Sequence, residues 1–252
     1  MTATAPTRTR ELCVYGVVRS DANPDDYQGI SGISGEPLEL VAVDEIAALV
    51  EPVEDPATLG TRDGLMAYRR VLDEAARHGE VLPFRVGSVV PGDDDLVALL
   101  SDDHDVYADR LDEIAGQVQL LLRGSYRPEV ALGGIVARNP EIRELRELTR
   151  EAPEEAFRTE RIRLGELVSR ALDEERAVDR DRVVEALTPY ATESVLRPEI
   201  GLHGLVNVAL LVDRDQVEQL ERAAEDLAAE LQDRAELQLV GPMAAYDFAA
   251  TA

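Results

Sequence analysis

The sequence holds no lysine, a single cysteine and no apolar run long enough to cross a bilayer. Each shortage closes off a class of explanation. Cys13 alone cannot make an intramolecular disulfide, which fits a reducing cytoplasm, and its seat in an apolar run makes it a poor reactive thiol. Membrane insertion is not expected without a spanning segment. Residues Met1 to Arg10 carry two arginines but no signal-peptide apolar core follows them, so they read as a disordered tail. With lysine absent, every basic side chain is Arg, and 26 of them against 51 acidic residues leave a net charge of −25. A field of that sign opposes nucleic acid and anionic membrane surfaces, and neither is expected as a partner.

Recognisable catalytic patterns are scarce as well. His78, His104 and His203 lie far apart and none has metal-ligand spacing. There is no G-x-S-x-G turn, no C-x-x-C pair and no Walker loop. Gly29-Ile30-Ser31-Gly32-Ile33-Ser34-Gly35 resembles a phosphate-cradling loop only superficially, because it lacks the lysine and the strand-to-helix setting such a loop needs, and it reads as a glycine-rich turn region. Asp93-Asp94-Asp95 lacks the alternating ligands of a calcium loop and reads as the acidic first turn of a helix. Neither a catalytic residue nor a cofactor nor a metal site is therefore expected.

What is present is enough for a packed protein: 252 residues with 45% hydrophobic content suffice for one large or two ordinary domains. Leu12–Val18 is nearly all apolar and reads as a central strand. Leu38–Val43 and Ala47–Val53 follow as strands. A helix over Thr61–His78 shows an apolar stripe at Leu65, Tyr68, Leu72 and Ala75, stopped by Gly79. The stretch Val81-Leu82-Pro83-Phe84-Arg85-Val86-Gly87 is bounded by Gly79 and Pro91-Gly92 and reads as part of a strand from Val81 to Val90. Pro83 puts that strand at a sheet edge, where Arg85 reaches solvent or a partner. From Asp93 the pattern turns helical, and the seam Tyr107, Leu111, Ile114, Val118, Leu121 predicts one acidic helix ended by Gly124-Ser125.

The second half reads as another α+β unit. A strand is expected within Tyr126–Arg138, then helices over Pro140–Thr149, Pro153–Glu175 and Asp179–Leu187. Strands Glu193–Arg197 and Leu205–Val212 come next, then a helix with seam Val217, Leu220, Ala224, Leu227, Leu231, and a last strand Leu237–Val240. This is the β-α-β-β-α-β order of a ferredoxin-like domain with extra helix. The expected fold class is α+β, with antiparallel sheets and packed helices. Its divisions are a tail at 1–10, an N-terminal domain at 11–124, a ferredoxin-like domain at 125–240 and a C-terminal tail at 241–252. Asn207, a polar residue inside an apolar strand, must have its amide satisfied or face a partner. Tyr246 and Phe248 put two of ten Tyr and Phe residues near the end, where they either anchor a contact or tuck back onto the core.

Four stretches together resemble the accessory gas vesicle proteins F and L. Tyr15-Gly16-Val17-Val18 is similar to their opening strand, and Val81–Gly87 to their V-L-P-hydrophobe-R-F-G signature. Asn207–Val212 is similar to their N-x-A-F-L-V strand, and Gly241-Pro242 with Tyr246-Asp247-Phe248 to their G-P-W-P-P-Y-x-F ending. Val86 stands where Phe is usual, and Met243-Ala244-Ala245 replaces W-P-P. The resemblance implies a non-enzymatic accessory protein of gas vesicle assembly, cytoplasmic and associated with the vesicle. It would bind the small hydrophobic shell protein, with other accessory proteins as further partners, and keep it soluble or deliver it to the growing shell. Pro83, Phe84, Arg85, Asn207, Tyr246 and Phe248 are the partner-binding residues this suggests. The alternative is a ferredoxin-like regulatory protein that senses a small molecule.

Overall fold

The computed structural model describes residues 10–151, 153, 156–201 and 203–249. Of the stretch read as an N-terminal tail, only Arg10 falls within these, and it pairs with Glu39. In chain order the first elements are β1 (Glu11–Arg19), a one-turn helix α1 (Asp25–Gln28), β2 (Glu39–Val43), β3 (Ile46–Val53) and α2 (Arg62–His78). Then come β4 (Leu82–Pro83), β5 (Val89–Val90), α3 (Asp93–Asp102), α4 (His104–Glu113) and β6 (Gln117–Tyr126). After these follow α5 (Pro128–Arg138), α6 (Pro140–Arg150), α7 (Arg158–Leu187), β7 (Glu193–Leu196), β8 (Gly204–Asp213), α8 (Val217–Leu231) and β9 (Ala235–Met243). The chain divides into two units, one running to Leu120 and resuming at Gly241, the other Leu121–Val240.

In the first unit the sheet order is β2-β3-β1-β4, with β5 also on β1. The apolar run of β1 is buried along nearly its whole length, as a central strand requires. Thr61 caps α2 by accepting from the Gly64 amide at 3.0 Å. This helix buries Tyr68, Val71, Leu72, Ala75 and Ala76. Full burial of Val71 and Leu72 is favoured by roughly 1.5–3 kcal/mol each before entropy is counted, and that of the alanines by less. Leu65, expected on the same stripe, is instead 46% exposed in the first turn, where Thr58 and Leu59 pack on Gly64.

The expected Val81–Val90 strand is broken. Gly16 pairs with Pro83 and Cys13 with Val89, so Val14 and Tyr15 face the five residues Phe84–Ser88. The chain leaves the sheet there and turns at Gly87, whose φ of +89° is a left-handed conformation that disfavours a side chain. The long acidic helix is also corrected: α4 stops at Glu113, and Gly116 (φ +73°) turns the chain into β6. Val118 and Leu121 thus belong to a strand, with Gly124-Ser125 inside it.

In the second unit α5 replaces the strand expected within Tyr126–Arg138. Pro128 opens it at a first-turn position, and Ala131 and Ile135, four apart, are its buried contacts. The two helices expected between Pro153 and Leu187 are the single helix α7. The sheet order is β7-β8-β6-β9. The β6-to-β7 crossover therefore skips over β8, and the β8-to-β9 crossover skips over β6. That interleaving is the split βαβ, ferredoxin-like arrangement, started one strand earlier than expected. Along α8, Leu220, Ala224, Leu227 and Leu231 are buried as their spacing predicts. The segment read as a C-terminal tail begins within β9. It contributes Met243, Ala244, Ala245, Phe248 and Ala249 to buried positions, because these small and apolar side chains gain more from burial than from solvent.

Candidate functional site

The excursion Phe84–Ser88 is held at its root by hydrogen bonds from both sides. The Phe84 amide donates to the Tyr15 carbonyl and the Val14 amide to the Ser88 carbonyl, each at 2.9 Å. From α2 the Tyr68 hydroxyl reaches the same place. It lies 2.9 Å from the Tyr15 carbonyl and 3.1 Å from those of Val14 and Phe84. With one proton to give, it serves one of these oxygens at a time. Burial raises the Tyr68 pKa, so this hydroxyl stays a donor.

The Tyr15 ring stacks on that of Tyr68 with centroids 4.9 Å apart. Its hydroxyl donates to Glu51 at 2.5 Å. Glu51 is fully buried, and the glycine-rich segment closes over it. The Ile33 amide donates at 2.6 Å and the Ser34 hydroxyl at 2.6 Å, with the Ser34 amide at 3.3 Å. A Cβ on Gly32 would sit 1.9 Å from the carboxylate, so only glycine fits there. The loop that resembles an anion cradle is one, and its anion is the protein's own. Beside it, burial and the Glu51 charge push the Cys13 thiol up to about 12, which keeps it protonated and unreactive.

Against the excursion lies a cavity of about 340 Å³. Its apolar lining is Val14, Phe84, Val89, Val90, Leu99 and Tyr107, and its polar lining is Arg85, Ser88 and Asp103. The Phe84 and Tyr107 rings meet with centroids 5.7 Å apart. Arg85 and Val86 are exposed and Phe84 is half-buried. A concave apolar surface with one cation and one carboxylate suits an apolar side chain flanked by a polar or charged group.

Of the six residues named from sequence, Phe84 and Arg85 line this cavity, with Pro83 buried just before them in β4. The other three turn inward elsewhere. Tyr246 is half-buried, its hydroxyl 3.1 Å from Asp73 of α2, and Phe248 is 8% exposed. Asn207 is 6% exposed and donates to the Pro198 carbonyl at 2.8 Å. Gln119 and Asp247 add a link the sequence did not suggest: the Gln119 amide donates to the Asp247 carboxylate at 2.6 Å and accepts from its backbone amide at 2.9 Å. Sequence reasoning also missed Tyr107, Leu99 and Asp103 as cavity residues. Leu99 and Tyr107 come from α3 and α4, whose apolar positions look like ordinary core, and Asp103 from the junction between those helices.

A family model described as Gas vesicle synthesis protein GvpL/GvpF matches residues 12–250. A Streptomyces sp. (strain CB03234) protein named Gas vesicle protein F is 34% identical over 237 residues, which cover 93% of this chain and 98% of that protein. The crystal structure of GvpF from Anabaena sp. PCC7120 is similar with a TM-score of 0.82 at 18% identity, covering 96% of this chain and 99% of that one. GvpF from Microcystis aeruginosa gives 0.78 at 20% identity, covering 96% and 100%. At such identities the two structures speak for the fold.

Proposed function

Because this chain belongs to the gas vesicle synthesis GvpL/GvpF family, we propose that it works in gas vesicle assembly as a non-enzymatic accessory protein that binds the small hydrophobic shell protein. In this reading it is cytoplasmic and meets the vesicle during growth, with other accessory proteins as further partners. Subunits of a gas-filled shell carry large apolar surfaces, and before assembly these are aggregation hazards. A partner with a net charge of −25 keeps the complex soluble while it covers part of that surface.

The observation that carries the proposal is the cavity beside Phe84–Ser88. It is apolar, it borders the exposed Arg85 and Val86, and it is formed in part by the stretch that resembles the family's V-L-P-hydrophobe-R-F-G signature. Phe84 and Arg85 are the contact residues in this reading. Pro83, Asn207, Tyr246 and Phe248 support the fold that presents them, since each is buried or held by its own chain.

Co-expression of the tagged chain with the shell protein tests this. A soluble complex that survives washing in moderate salt is expected, and equimolar chain should delay precipitation of the shell protein. The F84A/R85A variant, folded by circular dichroism, should bind at least about tenfold more weakly, as loss of an anchor residue does. Absence of any complex, or one indifferent to F84A/R85A, overturns the proposal.

A further inference from the structure

Charge is distributed unevenly along this acidic chain. Residues 127–182, which carry α5, α6 and most of α7, hold twelve Arg against fourteen acidic residues, a net of −2. All the rest holds fourteen against thirty-seven, a net of −23. Two copies would repel one another almost anywhere else. Between Arg158 and Val178 no residue of α7 is fully buried, although the helix continues for thirty residues. Half of a long helix therefore stands with one flank uncovered.

On that flank Arg163, Leu167, Arg170, Glu174, Ala177 and Asp181 follow one another at steps of four and three, which sets them in one stripe. Arg163, Arg170, Glu174 and Asp181 are exposed, and Leu167 and Ala177 half-exposed. The order is cation, apolar, cation, anion, apolar, anion. Reversed, it complements itself. Arg163 and Asp181, Leu167 and Ala177, and Arg170 and Glu174 all share one midpoint, residue 172. Two α7 helices laid antiparallel about a two-fold axis there would set each arginine against a carboxylate and each apolar residue against another.

Among the described residues Arg170 and Glu174 make no ion pair. Among the described residues Arg163 pairs with Glu141 and Asp181 with Arg180, partners that are only half-buried, and exchanging those costs little. Val178, 69% exposed, flanks the stripe and helps line a groove of about 440 Å³ with Ile135, Arg138 and Glu174, which leaves room for a neighbour's side chains.

We infer that the uncovered flank of α7 is a self-association surface, and that its occupant is a second copy of this chain in an antiparallel, two-fold pairing centred near residue 172. The stripe runs only about 27 Å along the helix, so the dimer is weak.

Sedimentation equilibrium of the purified full chain, without any shell protein, tests this apart from the function proposed above. At about 0.15 M salt the distant acidic surfaces are screened while contact pairs are not, and a monomer–dimer equilibrium is expected. R163E/R170E places like charges opposite one another and should leave a folded monomer. Adding E174R/D181R to it restores complementarity with the signs exchanged and should bring the dimer back. A wild-type chain monomeric up to about 0.5 mM, a dimer untouched by R163E/R170E, or a folded quadruple variant that stays monomeric overturns the inference.

Discussion

Tyr15 in the first unit and Tyr126 in the second each donate a hydroxyl proton to a buried carboxylate, Glu51 at 2.5 Å and Asp179 at 2.7 Å. Their surroundings differ. Among the described residues Glu51 meets no cation; its negative charge is met by the Ile33 and Ser34 amides, the Ser34 hydroxyl and Tyr15. Asp179 has the Arg234 guanidinium at 2.7 Å. A carboxylate removed from water needs either several oriented donors or one opposite charge. The choice decides what each site organises. Donors drawn from a loop fix the loop, so Glu51 holds Gly32–Ser34 against β1 and β3. One guanidinium fixes a single long side chain at a helix flank.

The largest effect should follow removal of Glu51. In E51A the Tyr15 hydroxyl, two amides and the Ser34 hydroxyl lose their acceptor together, and a cost of about 3–4 kcal/mol is expected. Urea denaturation measures it, and amide exchange at Ile33 and Ser34 should quicken well beyond the change at β1. E51Q keeps an acceptor oxygen but turns an NH₂ group towards donors, so about 2 kcal/mol is expected. If the loop amides stay protected in E51A, the loop holds its shape alone and the contrast between the two sites collapses.

R234A is next. It leaves Asp179 buried with Tyr126 as its partner, but Arg234 is 37% exposed and water can enter in its place, so about 1–2 kcal/mol is expected. Added salt should shrink this penalty, since it screens the wild-type pair, and should leave that of E51A nearly unchanged. A salt-insensitive loss as large as that of E51A would mean that charge is not what separates the two sites.

How much of this was readable follows from how local each signal is. β1, β3, α2, β8 and α8 carry period-two, all-apolar or three-and-four patterns that persist in the structure, and the ferredoxin-like order emerged from them. Elsewhere one pattern crossed a boundary. Tyr107 and Leu111 are buried along α4 and Ile114 in the turn after it, and Val118 and Leu121 happen to continue their spacing into β6. Val130–Val136 looks like a strand, and only Pro128 at its start and the four-residue step from Ala131 to Ile135 mark the helix. Glu51 was passed over as one more residue of β3, although a lone charge between Val50 and Pro52 beside a glycine-rich loop was a legible signal. Phe84 and Arg85 were found because a polar residue interrupts an apolar run. The inward turn of Tyr246, Phe248 and Asn207 depends on partners such as Asp73 and Pro198, which no local spacing reveals.

The smallest effect concerns a carboxylate contact that neither interior shelters. His104, at the start of α4, approaches Asp105 at 3.1 Å and Glu45 at 3.3 Å. Its pKa is raised above 6.5, first by the hydrogen bond with Asp105 and then by the charges of Glu45, Asp105 and Asp44, against an opposing contribution from desolvation. A histidine whose folded pKa exceeds its unfolded one favours the folded state when protonated. Its contribution is therefore complete below about 6.5 and fades as pH rises through the elevated folded value. Urea midpoints taken from pH 6 to 9 should show a slight fall over that window, and H104Q should remove it. An imidazole that titrates at or below about 6.5 by NMR would mean that these carboxylates are too well hydrated to hold a proton on it, unlike the guanidinium-paired Asp179.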